Sequence, residues 1–331
     1  METRTLGRTG LAVSALGFGC GAVGGLMVRG ALADQERAVG RALSLGVNYF
    51  DTAPQYGNGA SETNLGRVLR HIGADPLVGT KVRIPPADHG RLAEAIPAAL
   101  EASLRRLGRD RVDLYQLHNP IAPESGDEAL GVRAVLDEVL PAFRRLQEQG
   151  KARFLGITAV GDTASLLEVV ESGAFDTAQV PYNMLNPSAG GPVPAGYPAQ
   201  DYRDLIGRAQ AAGMGVIVIR VLAGGALSGT PARHPIAAPS VAPIASGTDY
   251  QADLARARRL APLVDEGDAA DLAAAALRVP LAHPGVGTVL IGMATPDEFE
   301  RAAAAANQGP LGPDALRRLA ALQAGFAGEA R

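Results

Sequence analysis

Eight times along this chain a short apolar run that reads as a strand gives way to a helical pattern, and this alternation constrains the fold more than any other feature. The runs fall at 15–19, 47–50, 77–78, 112–118, 152–158, 177–180, 216–221 and 286–291. Between them apolar residues recur three and four positions apart, as Val39, Ala42 and Leu43 do, then Leu65, Val68 and Leu69 behind an N-cap expected at Ser61. The next helix places Leu92, Ile96, Leu100 and Leu104 on one face, and Pro97 predicts that it starts or bends there. Further helices are predicted at 133–149, 163–171, 201–212, 268–282 and 296–306. Strands alternating with helices make a parallel sheet, and eight rounds close it, so the expected fold class is α/β, a (β/α)8 TIM barrel.

Several segments stand outside the repeat. A hairpin around Gly7-Arg8-Thr9-Gly10, within Thr3 to Ser14, is expected to close one barrel end. Extra helices are expected at 251–263 and 313–327, and no linker divides the chain, which predicts a single domain over 1–331. The stretch 222–250, rich in Gly, Pro, Ala and Ser, is too long for an ordinary connection and predicts an active-site lid. Gly19-Cys20-Gly21-Ala22-Val23-Gly24 matches the dinucleotide fingerprint in letters, but that motif needs a helix beginning inside its glycines. Here helical periodicity resumes only after Asp34, so the run reads as a loop at the barrel mouth.

In a barrel of this kind chemistry is found at the C-terminal ends of the strands. Asp51 and Tyr56 follow the second run, Lys81 the third and His118 the fourth. An ammonium near a phenol favours its ionised form, a carboxylate can hold the ammonium in place, and an imidazole adds a donor for a carbonyl oxygen. Lys81 and Lys151 are the only lysines in the chain, so a general preference for lysine does not explain Lys81.

The order and spacing of Asp51, Tyr56, Lys81 and His118 resemble the catalytic tetrad of the aldo-keto reductase family. The resemblance covers nearly the whole chain: Leu6-Gly7-Arg8-Thr9-Gly10-Leu11, Leu16-Gly17-Phe18-Gly19, Gly57 through Ser61-Glu62 with Leu65-Gly66, and Ala102-Ser103-Leu104-Arg105-Arg106-Leu107-Gly108 before Val112-Asp113-Leu114. It implies hydride transfer between NADP(H) or NAD(H) and an aldehyde or ketone, with Tyr56 as general acid. The glycine-rich opening and the run after the fourth strand look somewhat like the aldose and galactose dehydrogenase branch, which makes an NAD(P)-dependent aldose 1-dehydrogenase the alternative. Outside that class stand a Schiff-base aldolase using Lys81 and a non-catalytic cofactor-binding subunit.

By the same resemblance the cofactor contacts are Thr158, Gln179, Arg220, Leu222, Gly224, Thr295 and Arg301. Thr158-Ala159 stands where the family commonly has Ser-Asn, and Arg220 could stack on the nicotinamide or reach the pyrophosphate. From Gly292 to Arg301 most of the family's usual 2′-phosphate cations are replaced, one of them by the acidic Glu298; Thr295, Arg301 and the helix N-terminus at Pro296 remain, which keeps NADP(H) usable and predicts discrimination between NADPH and NADH within about tenfold. Tryptophan is absent, leaving Phe18, Met27, Tyr182 and Met184 as candidate pocket walls.

Composition narrows the partners. A net charge of −3 with scattered basic residues argues against nucleic acid and against an anionic membrane surface, which leaves small carbonyl, alcohol or sugar substrates. Cys20 is the only cysteine, Met1-Glu2-Thr3-Arg4 lacks the apolar core of a signal peptide, and no uncharged apolar stretch spans a bilayer, so a soluble cytoplasmic protein is expected. His71, His89, His234 and His283 lack the paired spacing of a metal site, and no metal is expected. Composition is silent on oligomeric state.

Overall fold

Val112–Leu117 is buried along its whole length, as a strand covered on both faces must be, and so are Tyr49–Asp51 and Thr177–Pro181. The structure is a computed structural model that describes residues 1–329; positions 330–331, which the expected domain includes, lie outside the described residues. In chain order the elements are β1 (Thr3–Thr5), β2 (Ala12–Ser14), β3 (Leu16–Gly19), α1 (Leu26–Arg29), α2 (Leu32–Ser44), β4 (Tyr49–Asp51), α3 (Ala60–Ile72), β5 (Leu77–Val82), α4 (Leu92–Leu107) and β6 (Val112–Leu117). Then come the short pair β7 (Ile121–Ala122) and β8 (Leu130–Gly131), α5 (Val132–Ala134), a π-turn at Val135–Val139, α6 (Leu140–Glu148), β9 (Ala152–Thr158), α7 (Thr163–Glu171), β10 (Thr177–Pro181), α8 (Leu205–Ala211) and β11 (Gly215–Ile219). The remainder is α9 (Tyr250–Arg258), α10 (Pro262–Asp265), α11 (Leu272–Leu281), β12 (Val286–Gly292), α12 (Pro296–Asn307) and α13 (Pro313–Ala324).

Strands β3, β4, β5, β6, β9, β10, β11 and β12 pair in parallel, and the last pairs with the first, closing the barrel. The hairpin β1–β2 seals its lower end. Leu6, Leu11 and Val13 pack against Tyr49, Leu114, Ile217 and Leu290 inside the barrel. Gly7 makes this approach possible: its φ is +49°, and a Cβ there would sit 2.3 Å from the Gly215 nitrogen.

Several boundaries differ from the sequence expectation, each for a local reason. Helix α3 is capped by Gly59 in the left-handed region, not by Ser61, whose buried hydroxyl lies one step inside and donates to the Cys20 carbonyl at 2.9 Å. Helix α4 runs unbroken through Pro97, because Leu92, Ile96, Leu100 and Leu104 all bury on one face and hold the turn that Pro97 weakens. Pro141 has no N–H for the Asp137 carbonyl, and the backbone widens into the π-turn just before it. Strand β11 stops at Ile219, since Arg220 turns to φ +59°. The expected helix at 251–263 divides into α9 and α10, and a helix precedes Asp34 in both α1 and α2.

The segment 222–250 opens with a 3₁₀ stretch, Ala223–Ser228, and then has no regular element until α9. It lies against the glycine-rich loop after β3. Arg29 donates to the Ile236 carbonyl at 2.5 Å and the Ala22 carbonyl at 2.7 Å, and the Ala238 N–H donates to the Val23 carbonyl at 2.9 Å. Arg233 reaches the carbonyls of Gly224 at 2.8 Å and Ala238 at 2.6 Å, with its guanidinium over the Tyr250 ring. The loop at Gly19 to Gly24 is thus a mouth loop followed by a single helical turn. Among the described residues no helix is long and apolar enough to cross a membrane.

Candidate active site

Asp51 is the last residue of β4, and Lys81 is the fifth of the six residues in β5. Both side chains point into the barrel and are almost fully buried. Tyr56 sits in the tight connection from β4 to α3, where its N–H bonds the Ala53 carbonyl at 3.1 Å and its carbonyl accepts from the Ser61 N–H at 3.2 Å. His118 follows β6, and its ring stands edge-on to Tyr56 with centroids 5.8 Å apart. The structure therefore gathers all four residues at one point of the barrel mouth.

Lys81 Nζ is the hub. It pairs with Asp51 Oδ1 and donates to the Thr52 carbonyl at 3.0 Å and to the Tyr56 hydroxyl at 3.4 Å. The second oxygen, Asp51 Oδ2, accepts from Gln179 Nε2 at 2.6 Å, Tyr49 Oη at 3.0 Å and Gln116 Nε2 at 3.3 Å. Burial alone would discharge Lys81, but the charge of Asp51, then that of Tyr56 once ionised, with the bonds to both, more than offset it and push its pKa up. The ammonium is therefore kept.

For Tyr56 the balance falls the other way from the sequence expectation. Burial raises its pKa most, Lys81 lowers it, Asp51 raises it, and the net shift is upward. The free side chain is therefore a neutral phenol poised to donate rather than a ready phenolate. His118 is pushed down to about 3 by burial, then by the charges of Lys81 and Arg83, so the ring is neutral and carries one N–H. Nδ1 lies 3.3 Å from the Gln55 side-chain amide, and the tautomer decides which ring nitrogen carries that hydrogen: with the amide turned end for end Nδ1 accepts and Nε2 carries it.

The expected cofactor positions are scattered along the opposite arc. Thr158, at the end of β9, is buried and its hydroxyl has no partner among the described residues. Gln179, its register partner on β10, is spent on Asp51 and belongs to the buried cluster. Arg220 has no carboxylate within salt-bridge range among the described residues and donates to the Ala242 carbonyl at 3.3 Å, so it is not the rim ion pair that arginine there would otherwise form. Leu222 packs half-buried against the core, and Gly224 is buried at φ +68° with Arg220 Nη1 close by. Thr295 caps α12, accepting from the Glu298 N–H at 3.2 Å, while Glu298 accepts from the Ala294 N–H at 2.7 Å. Arg301 is exposed on the same helix.

Phe18, Met27 and Met184 are core residues rather than pocket walls: Phe18 stacks on Phe50 at 5.1 Å and all three are buried. Tyr182 is partly buried, edge-on to His283. Cys20 is buried, and burial, then the Asp51 charge, push its thiol up. His234 and His283 accept from backbone N–H groups two residues on, and His71 lies exposed beside Glu36.

Two members of the buried cluster, Tyr49 and Gln116, were not picked out by motif. The pleat held the signal: Tyr49 lies two residues before Asp51, and Gln116 pairs in register with Lys81 in an otherwise well-covered strand.

Known proteins resemble this chain in sequence and in fold. A model described as the Aldo/keto reductase family matches residues 15–324. L-galactose dehydrogenase of Arabidopsis thaliana is 30% identical over 316 residues, covering 93% of this chain and 89% of that protein. D-threo-aldose 1-dehydrogenase of a Pseudomonas species is 32% identical over 198 residues, 52% of this chain and 57% of that one. An aldo-keto reductase of Bacillus halodurans, in its holo form, superposes with a TM-score of 0.73 at 25% identity, covering 97% of this chain and 96% of that chain. The barrel, the gathered Asp51, Tyr56, Lys81 and His118, and a family match over nearly the whole length lead to one conclusion: the chain belongs to the aldo/keto reductase family.

Proposed function

We propose that this oxidoreductase transfers a hydride between NAD(H) or NADP(H) and the carbonyl of an aldehyde or ketone, with Tyr56 as general acid. The observation that carries the reading is Lys81, buried and charged, bonded at once to Asp51 and to the Tyr56 hydroxyl. The nicotinamide supplies or accepts the hydride. In reduction Tyr56 Oη gives its proton to the carbonyl oxygen as the alkoxide forms, and Lys81 stabilises the phenolate left behind. In oxidation the phenolate takes the proton back. His118 orients the carbonyl oxygen through its one N–H in the Nε2 tautomer, with Nδ1 accepting from the Gln55 amide.

Residues on the β9–β12 side fit such a cofactor. The buried Thr158 hydroxyl without a partner suits the carboxamide, and Arg220, with a guanidinium that has no carboxylate, suits either the ring face or a phosphate. The end of α12 suits a 2′-phosphate poorly. Thr295 and Glu298 already satisfy backbone N–H groups there, and Asp297 and Glu298 add negative charge to its first turn. Arg37 and Arg41, the nearby cations on α2, face Asp297 and Glu300. The segment 222–250, fastened to the mouth loop, acts as the lid.

The charged state of Lys81 speaks against a Schiff-base aldolase, which needs the neutral amine. An aldose 1-dehydrogenase remains the second reading, supported by the two sugar dehydrogenases among the relatives. Absorbance of the reduced nicotinamide band, followed with aldehydes, ketones and aldoses in both directions, tests the proposal. Turnover with simple carbonyls supports reduction, turnover only with aldoses and oxidised cofactor supports the second reading, and no turnover with any of them sinks both.

A further inference from the structure

Tyr49 lies inside the barrel, fully buried, two residues before Asp51 on the same face of β4. Its ring occupies room left by glycines on the two strands that flank β4. A Cβ at Gly79 would sit 2.5 Å from the Tyr49 hydroxyl, and one at Gly17 would sit 3.2 Å from the ring. The ring itself packs among Leu6, Leu114 and Ile217, contacts that a phenylalanine would make equally well. The hydroxyl is the part that needs another explanation, since a buried hydroxyl without a partner is costly.

Its partner is Asp51 Oδ2, 3.0 Å away, and an ionised carboxylate only accepts, so Tyr49 donates. Burial, then the Asp51 charge, push the Tyr49 hydroxyl well above its ordinary pKa, which keeps that donor protonated at any working pH. We propose that Tyr49 is a positioning residue: its hydroxyl holds the Asp51 carboxylate with Oδ1 turned to Lys81 and offsets part of its negative charge, so that the Lys81 ammonium acts on Tyr56. The inference rests on the proposed roles of Asp51, Lys81 and Tyr56. Tyr56 is also faced by His118 and by Arg220, and Asp51 by Cys20, none of which a change at Tyr49 would alter. Gln116 and Gln179 share the load on Oδ2, so the effect of losing one donor is partial.

The test is Tyr49→Phe in the full chain, with kcat and KM measured against pH in the direction of alcohol oxidation, where Tyr56 takes up the proton. The expected result is a kcat about threefold to tenfold lower, with its rise against pH displaced upward by about half a unit to one unit and KM for cofactor unchanged. In an Asp51→Asn background, which keeps the shape and removes the charge, the same substitution should change nothing further. A Tyr49→Phe profile that coincides with wild type, or a loss that appears wholly in KM, overturns the inference. An equal loss with and without Asp51 also overturns it, because Tyr49 would then be a packing residue. Wild-type protein that turns over no carbonyl or sugar overturns the catalytic reading and this inference together; active wild type with an indifferent Tyr49→Phe overturns this one alone.

Discussion

In the half of the barrel mouth built by β4, β5 and β6, Asp51, Lys81 and Tyr56 already bond one another. In the half built by β9, β11 and β12, Thr158 has no partner, Arg220 reaches only a carbonyl, and Thr295 is spent on its own helix. The first half is set before any ligand arrives. The second holds groups whose bonds are still to be made, with Arg220 and Ala223 at positive φ, a backbone state that ordinary residues adopt at a cost. On the proposed function this division fits, because proton transfer needs fixed geometry whereas holding a long cofactor needs surfaces that can still give.

The largest effect should come from breaking the first half alone. Tyr56→Phe removes the proton donor without touching the β9–β12 side, so turnover is expected to fall by about a hundredfold to ten-thousandfold. Cofactor affinity, measured by fluorescence titration, should stay within about twofold of wild type, and retained turnover would refute the role given to Tyr56.

Lys81→Met comes next. It should lower turnover by about a hundredfold and reduce stability by about 3 kcal/mol in denaturant unfolding at neutral pH, because Asp51 is left buried without its cation. The sign with pH follows from the raised Lys81 pKa: the pair's stabilisation is complete below the ordinary lysine pKa and is lost only as pH rises through the higher folded value. The stability gap between wild type and Lys81→Met should therefore narrow only at strongly alkaline pH; a gap that closes between pH 6 and 8 would mean that Lys81 is not held as an ammonium.

The sequence made the first half plain and left the second obscure for a physical reason. Asp51, Tyr56, Lys81 and His118 are chemically distinctive side chains at strand ends, and period and spacing were enough to place them. Tyr49 reaches Asp51 through the pleat, which brings residues two apart to one face, Gln116 reaches it from the register position opposite Lys81, and Gln179, read from sequence as a cofactor contact, donates its amide N–H to Asp51 as well. The barrel itself was legible because each strand is an apolar run. The cap of α3, the course of α4 through Pro97 and the end of β11 were not, because backbone state and tertiary burial decide them rather than local composition.

Smaller effects probe the second half. Arg220→Ala should weaken cofactor binding by about tenfold with kcat nearly unchanged, the mirror of Tyr56→Phe, which isothermal titration beside steady-state kinetics would read. Equal loss in kcat would place Arg220 with the reacting groups, where its charge also falls on Tyr56. Last, NADPH should bind no more than about tenfold more tightly than NADH, given the acidic first turn of α12. A preference of a hundredfold for NADPH would mean that cations elsewhere, Arg220 or Arg233 foremost, hold the extra phosphate.

Arg29 and Arg233 fasten the 222–250 segment almost wholly by its carbonyl oxygens. A clasp on the main chain is indifferent to which side chains hang from it. Apart from Arg233 itself, residues 230–242 can therefore change their side chains while the strap keeps its course, and any substrate preference set there can be rewritten without redesigning the buckle.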